Sequence, residues 1–216
     1  PMQPPAAFET TLVNTQSPAK FLVPTSDMDL ANPGTCRATL FQADTPLESI
    51  TEAVQCVHFF GLKPHILAEA DRATIQCSTS GTGGHYPAGE PLPGCQAGES
   101  PDNAILTFEG KLLVPTPGPY SFNFYTDEGF AFVVFLGGEG VLASRQLSGT
   151  PEHCLVPLDI PRAGLFDFSV ITYNTSGPTF FEMAVASGHH SAFDPAVFHL
   201  LGGDSPNGLC IAESAS

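Results

Sequence analysis

The sequence contains no tryptophan and only seven lysine and arginine residues, against 22 aspartate and glutamate residues. The formal net charge is therefore −15 at pH 7. A surface this acidic repels polyanions, which argues against binding to nucleic acid or to an anionic membrane through bulk electrostatics. Cations and neutral ligands fit the charge better.

Sequence signatures of catalysis and of membrane insertion are also missing. The chain has no G-x-S-x-G, no H-E-x-x-H and no glycine loop placed between a strand and a helix to hold phosphate. Its apolar runs are too short for a transmembrane helix. We therefore expect a protein that is not an enzyme and that does not itself insert into a membrane.

The six cysteines form an even set without any C-x-x-C pair. Zinc sites usually need closer spacing, so the pattern favours three disulfides and an oxidising, extracellular location. Cys77 and Cys95 bracket a loop rich in glycine and proline, and they are the best candidate pair. Free buried thiols are the alternative.

The clearest strand pattern lies within residues 108–136. Tyr120, Phe122 and Phe124 alternate with polar residues, as in a half-buried strand, and residues 130–136 form an unbroken apolar run typical of a buried central strand. Between them, residues 126–129 read T-D-E-G, a turn by composition. Alternation in successive strands predicts one shared core containing Phe122, Phe124, Phe132, Val134, Phe166, Phe168, Met183 and Val185.

The rest of the chain predicts short strands joined by turns, which suits 17 phenylalanine, 21 proline and 21 glycine residues. Residues 1–7 are interpreted as a flexible leader. One helix is predicted over residues 47–57, with Thr45 as its N-cap. Residues 66–76 fit a strand or a loop. The other strand candidates are residues 8–14, 20–24, 37–43 and 196–201, the last of which we expect to end the fold.

Several motifs in this order resemble those of PA14-like domains: F-x-G at residues 108–110, V-P-x-x-G-x-Y-x-F at 114–122 and D-x-G at 127–129, each followed by strand patterns. The resemblance covers residues 100–200. It implies an all-β, antiparallel sandwich with long disulfide-pinned loops and at most one or two short helices. We interpret residues 1–216 as a single domain of this kind. The chain departs from the family at Gly137 and Gly138, where an Asp-Gly turn is usual.

The resemblance also makes Asp127 and Glu128 candidate calcium ligands, because PA14-like lectins use an adjacent aspartate pair in this turn. Here the second residue is glutamate, whose carboxylate reaches one methylene further. Two interpretations stay open, a calcium site and an acidic turn in solvent, and the glutamate favours the second. An aromatic platform for a sugar would have to come from Tyr86, Tyr120, Tyr125 or Tyr173.

Two functions compete. The first is an exported recognition or adhesion module of a cell-surface receptor that binds a partner protein or a second copy of itself on another cell. Distal domains of myxobacterial TraA-type receptors, which the chain resembles, act in this way. The alternative is a calcium-dependent lectin or adhesin domain that binds a glycan.

Loops at the ends of a sandwich usually carry specificity, so we expect partner contacts in residues 126–129, 137–140 and 202–208. Within the last loop, Pro206 fixes one backbone dihedral while Gly203 and Gly208 leave the flanks free, so a single substitution can redirect the loop. The predicted partner-binding residues are Gly138, Glu139, Asp204, Ser205, Pro206 and Asn207.

Overall fold

A computed structural model describes residues 9–13, 36–70, 74–77, 84–86, 102–136, 139–177, 179–202 and 210–212. These residues contain thirteen strands and one helix. In chain order the elements are β1 (Glu9–Val13), β2 (Cys36–Gln42), α1 (Ile50–His58), β3 (Pro64–Ala70), β4 (Thr74–Cys77), β5 (Ala104–Val114), β6 (Gly118–Thr126), β7 (Gly129–Leu136), β8 (Glu139–Gln146), β9 (Glu152–Ile160), β10 (Gly164–Asn174), β11 (Thr179–Ser187), β12 (His199–Leu200) and β13 (Cys210–Ala212).

The strands form two antiparallel sheets. Sheet 1 has eight strands in the order β1-β8-β7-β10-β5-β2-β3, with β13 paired to β5. Sheet 2 has five strands in the order β12-β11-β6-β9, with β4 paired to β11. Inward side chains of both sheets share one apolar core. The predicted all-β, antiparallel sandwich with one short helix is confirmed.

The shared core contains all eight residues that alternation placed there. Phe124 is fully buried, and its ring stacks on Phe130 with the centroids 4.2 Å apart. The period-two pattern identified these residues because successive side chains of a strand point to opposite faces of its sheet.

Helix α1 packs on the outer face of sheet 1, where Ile50 and Ala53 lie against Ala131 and Ile171. The N-cap is Ser49, whose Oγ accepts a hydrogen bond from the backbone N–H of Glu52 at 3.2 Å. The prediction of Thr45 as the cap was wrong, and the helix begins three residues later than its apolar spacing suggested. Within the described residues, no helix is both long enough and apolar enough to span a bilayer.

Three strand boundaries differ from the predictions. The 66–76 region holds two strands, β3 and β4, and β8 begins at Glu139, inside a stretch predicted as a loop. Residues 196–201 contain only the two-residue strand β12, because a turn bonds Phe198 N–H to Asp194 O at 2.9 Å. Strand β13 follows it, so residues 196–201 do not end the fold. The candidate at 20–24 lies outside the described residues.

The structure corrects the expected number of disulfides. Cys56 on α1 and Cys154 on β9 are free thiols, so at most two bridges remain for the other four cysteines. Cys154 is enclosed between the sheets, opposite Phe124 in the strand register, and burial raises the pKa of its thiol to about 11. The Cys77–Cys95 pair lies outside the described side chains.

Candidate functional site

The turn between β6 and β7 carries the chain from sheet 2 to sheet 1 at one end of the sandwich. Its carbonyl groups are held by the connection after β8: Leu147 N–H donates to Glu128 O at 2.8 Å, and Gly149 N–H donates to Asp127 O at 2.9 Å. Gly129 has a φ of +151°, and a Cβ there would lie 2.7 Å from Arg145 O. The turn therefore has a fixed shape that depends on glycine.

Asp127 is buried within this turn, with 8% of its surface exposed. Its Oδ1 has no hydrogen-bond partner in the structure. Burial, with a further contribution from the charge of Glu128, raises the pKa of Asp127 to about 6, although backbone hydrogen bonds at the turn oppose this. A buried carboxylate oxygen without a partner is costly, so it marks a position that a ligand would stabilise.

The sequence interpretation of an acidic turn in solvent was therefore wrong for Asp127, while Glu128 is half-buried.

Gln146 ties the turn to neighbouring elements. Its Nε2 donates to Glu128 O at 3.1 Å and to the Tyr173 hydroxyl at 2.5 Å, and its Oε1 accepts from Ile50 N–H at 2.8 Å. The first residue of α1 is thus anchored to the acidic turn.

A second polar cluster lies on the outer face of sheet 2. Glu182 on β11, Tyr125 on β6 and His153 on β9 stand opposite one another in the strand register. His85 lies over this row, with its ring centroid 4.6 Å from that of Tyr125 and 4.7 Å from that of His153. Phe193 stacks on His153 with the centroids 4.2 Å apart. We call these five residues the histidine cluster.

Buried Glu182 fastens residues 84–86 onto this face. Its Oε1 accepts hydrogen bonds from the backbone N–H groups of His85 at 2.7 Å and Tyr86 at 3.1 Å. Its Oε2 lies 3.1 Å from His85 Nδ1. A Cβ at Gly84 would lie only 2.2 Å from Glu182 Oε1, so the close approach needs glycine.

His153 is partly enclosed by the rings around it. Its Nδ1 lies 3.2 Å from Asn123 Oδ1. Burial lowers the pKa of His153, and the neighbouring His85 lowers it further. The ordinary pKa of histidine already lies below 7, so a lowered pKa leaves His153 neutral at pH 7.

Solved structures share this architecture. The PA14 domain of the antifreeze protein MpAFP superposes with a TM-score of 0.55 at 13% identity, over 83% of this chain and 95% of that one. A PA14 sugar-binding domain from an RTX adhesin gives a TM-score of 0.57 at 10% identity, over 85% and 100%. The chain has the PA14 fold.

A third PA14-fold neighbour is the epithelial adhesin 9 A domain of Candida glabrata in complex with Galβ1-4GlcNAc. It gives a TM-score of 0.54 at 10% identity, over 85% of this chain and 96% of that one. No protein-family model and no curated protein matches the sequence. At these identities the comparisons establish the fold, and the resemblance read from residues 108–129 is correct at that level.

Of the predicted partner-binding residues, the structure describes only Glu139. Glu139 pairs with Leu136 at the far end of β7, opposite the end that carries Asp127. Gly138 and residues 204–207 lie outside the described residues. Asp102, another oxygen donor, has its Oδ1 3.4 Å from Gly177 N and is exposed. In the described part of the chain, no three His, Cys, Asp or Glu residues are grouped to hold a metal.

Two of the four tyrosines are too deeply buried to serve as a sugar platform. Tyr120 and Tyr173 are 4% and 1% exposed, and Tyr120 donates its hydroxyl to Thr116 O at 2.5 Å. Tyr86 is half-buried and donates its hydroxyl to Phe198 O at 2.9 Å. Tyr125, half-buried and two positions from Asp127, is the one nearest the acidic turn in the sequence.

Proposed function

We propose that this PA14 domain is an exported recognition and adhesion module that binds a glycan at the β6–β7 turn with the help of calcium. The observation that carries the proposal is the Asp127 carboxylate, which is buried while its Oδ1 has no partner. Proteins retain such destabilising groups mainly at functional sites.

The donor set of the turn suits a hard cation in part. Asp127 supplies an oxygen that lacks a partner, and Glu128 supplies a second carboxylate beside it. Calcium prefers such oxygen ligands and takes six to eight of them, so most positions would be filled by water, carbonyl groups or sugar hydroxyls. The ion would neutralise Asp127 and offer those open positions to a ligand. The names of two neighbours, a sugar-binding domain and an adhesin in complex with a disaccharide, agree with this proposal.

Protein recognition is the second candidate, as the resemblance to TraA-type receptors implies. It is favoured by Phe59 and Phe60 after α1, which are 77% and 70% exposed. Beside them α1 and sheet 1 enclose an apolar groove of about 220 Å³, lined by Val54, His58 and Leu142 among others. Exposed aromatic pairs are typical of protein contacts. In this reading Asp204, Ser205, Pro206 and Asn207 would tune partner choice.

A glycan panel distinguishes the two functions. We expect the wild-type chain, displayed in many copies on beads, to bind at least one galactose-containing or related glycan in millimolar calcium. Binding should be lost in chelator and in Asp127→Asn, which removes the charged ligand but keeps the size of the side chain. Asp159→Asn makes the same change at an exposed carboxylate opposite Pro119, at the other end of β6, and as the matched control it should bind normally.

Aggregation of the coated beads tests the second candidate function, protein recognition. The domain recognises protein if no glycan binds and if the beads aggregate even in the presence of free sugars. In that case the double variant Phe59→Ser, Phe60→Ser should prevent the aggregation. Beads carrying wild type and beads carrying Pro206→Ala are then mixed. If the two kinds of bead aggregate separately, the 202–208 loop sets partner choice.

A further inference from the structure

The histidine cluster brings together two imidazole rings that are distant in the sequence. His85 and His153 have their ring centroids 4.7 Å apart on the outer face of sheet 2. The His85 side chain is 31% exposed, and His153 is half-buried, so the pair is reachable from solvent.

Each of the two rings is oriented by a hydrogen bond at its own Nδ1 atom. Nδ1 of His85 faces Glu182 Oε2 at 3.1 Å, and Nδ1 of His153 faces Asn123 Oδ1 at 3.2 Å. A carboxylate and an amide oxygen only accept hydrogen bonds, so both contacts are hydrogen bonds in the tautomer that carries its hydrogen on Nδ1. In the neutral rings each Nε2 therefore has a free lone pair, and among the described residues no group hydrogen-bonds to either Nε2.

This arrangement is the one that metal-binding histidines use. A histidine that ligates a metal almost always donates its other ring N–H to a carboxylate, a carbonyl or water, which fixes the ring and makes it a better ligand. Here Glu182 and Asn123 provide those acceptors. Tyr125 and Phe193 both stack against the His153 ring and hold it in place.

We propose that His85 and His153 form a binding site for a borderline transition dication, such as Zn²⁺, Cu²⁺ or Ni²⁺, through their Nε2 atoms. Imidazole suits these ions, whereas calcium prefers oxygen. The buried Glu182 carboxylate and the net charge of −15 favour a dication there. Among the described His, Cys, Asp and Glu residues no group of three could hold a metal, so the proposed site consists of these two histidines, with water in the other coordination positions.

The adjacent histidines His189 and His190 make a useful contrast. His189 Nε2 lies 3.2 Å from Asp159 Oδ1, and His190 Nε2 lies 2.8 Å from Ser187 O. Their Nε2 atoms are therefore occupied. The pair provides the matched control, because it has the same residue type outside the cluster.

Tyrosine fluorescence reports on the site directly, because the chain has four tyrosines and no tryptophan. Tyr125 contacts both histidine rings, so bound Cu²⁺ or Ni²⁺ should quench part of the emission in a saturable way. We expect Glu182→Gln to weaken the apparent affinity about tenfold or more, as is usual when the hydrogen-bond acceptor behind a metal-binding histidine is changed. His153→Phe keeps the stacked ring but removes the ligand, and it should weaken binding further. His189→Ala should leave the affinity unchanged, and excess calcium should not compete.

Electron paramagnetic resonance of the copper-loaded wild-type chain tests the ligand count without relying on a variant that folds. The wild-type spectrum should show coupling to two imidazole nitrogens, one from each histidine. Equal quenching in wild type and His153→Phe, loss of binding in His189→Ala, no saturable quenching up to millimolar metal, or a spectrum without nitrogen coupling would each overturn the proposal.

Discussion

Replacing Phe124 by alanine is expected to lower the free energy of unfolding by about 3–5 kcal/mol, the usual range for a large aromatic residue removed from a core. Phe124 is fully buried in the C-terminal half of β6, and its ring contacts Phe130, Phe132 and Phe181 from both sheets. Alanine would leave a cavity between the sheets that surrounding side chains cannot fill. Urea unfolding followed by circular dichroism measures the change.

Phe60→Ala is the matched control, because the same substitution is made at a side chain that is 70% exposed. Its free energy of unfolding should stay within about 0.5 kcal/mol of wild type, as is usual for surface positions. Equal effects at the two positions would contradict the placement of Phe124 in the shared core.

Replacing Asp127 by asparagine is expected to stabilise the domain at pH 7.5 in chelator, by up to about 3 kcal/mol. Burial raises the pKa of this carboxyl from 3.8 to about 6, and each pH unit corresponds to about 1.4 kcal/mol. Asparagine has nearly the same shape without the charge, so it removes the cost of burying a carboxylate. Thermal and urea unfolding across the pH range measure the effect.

The pH dependence of this effect has a definite sign. Well below pH 3.8 the wild-type carboxyl is protonated in both the folded and the unfolded chain, so the two proteins should differ little. Between about pH 4 and 6 the unfolded chain ionises first, and wild-type stability falls relative to the variant. Above the folded pKa the difference is constant. Glu128→Gln is the control at the neighbouring carboxyl, and a pH-independent difference for Asp127→Asn would contradict a buried charge.

Much of the sandwich could be predicted from residues 108–136, 156–173 and 179–186, because local alternation sets which face of a strand is buried. The helix boundary could not be predicted as well. Both Thr45 and Ser49 are suitable N-caps by residue type, and the choice of Ser49 depends on Glu52 at the third position and on Gln146, far away in the sequence.

The two polar sites were harder to predict for the same reason. T-D-E-G at 126–129 has the composition of an exposed turn, and its burial depends on the later connection that contains Leu147 and Gly149. The histidine cluster joins His85 to Glu182, which are 97 positions apart. No local spacing signals such a contact. Gly84 is needed for the close approach to Glu182, but in the sequence it stands among other glycines and is typical of a loop, so it does not indicate this contact.

The melting temperature at pH 7.5, in calcium and in chelator, tests most directly whether Asp127 is a calcium ligand. A ligand that binds only the folded chain stabilises it, so calcium at a hundredfold its dissociation constant should raise the wild-type melting temperature by about 5–10 °C. Asp127→Asn should melt at the same, already raised, temperature in both buffers. Identical wild-type curves in millimolar calcium and in chelator would contradict the calcium-assisted site and leave Asp127 as a buried charge without a bound ion.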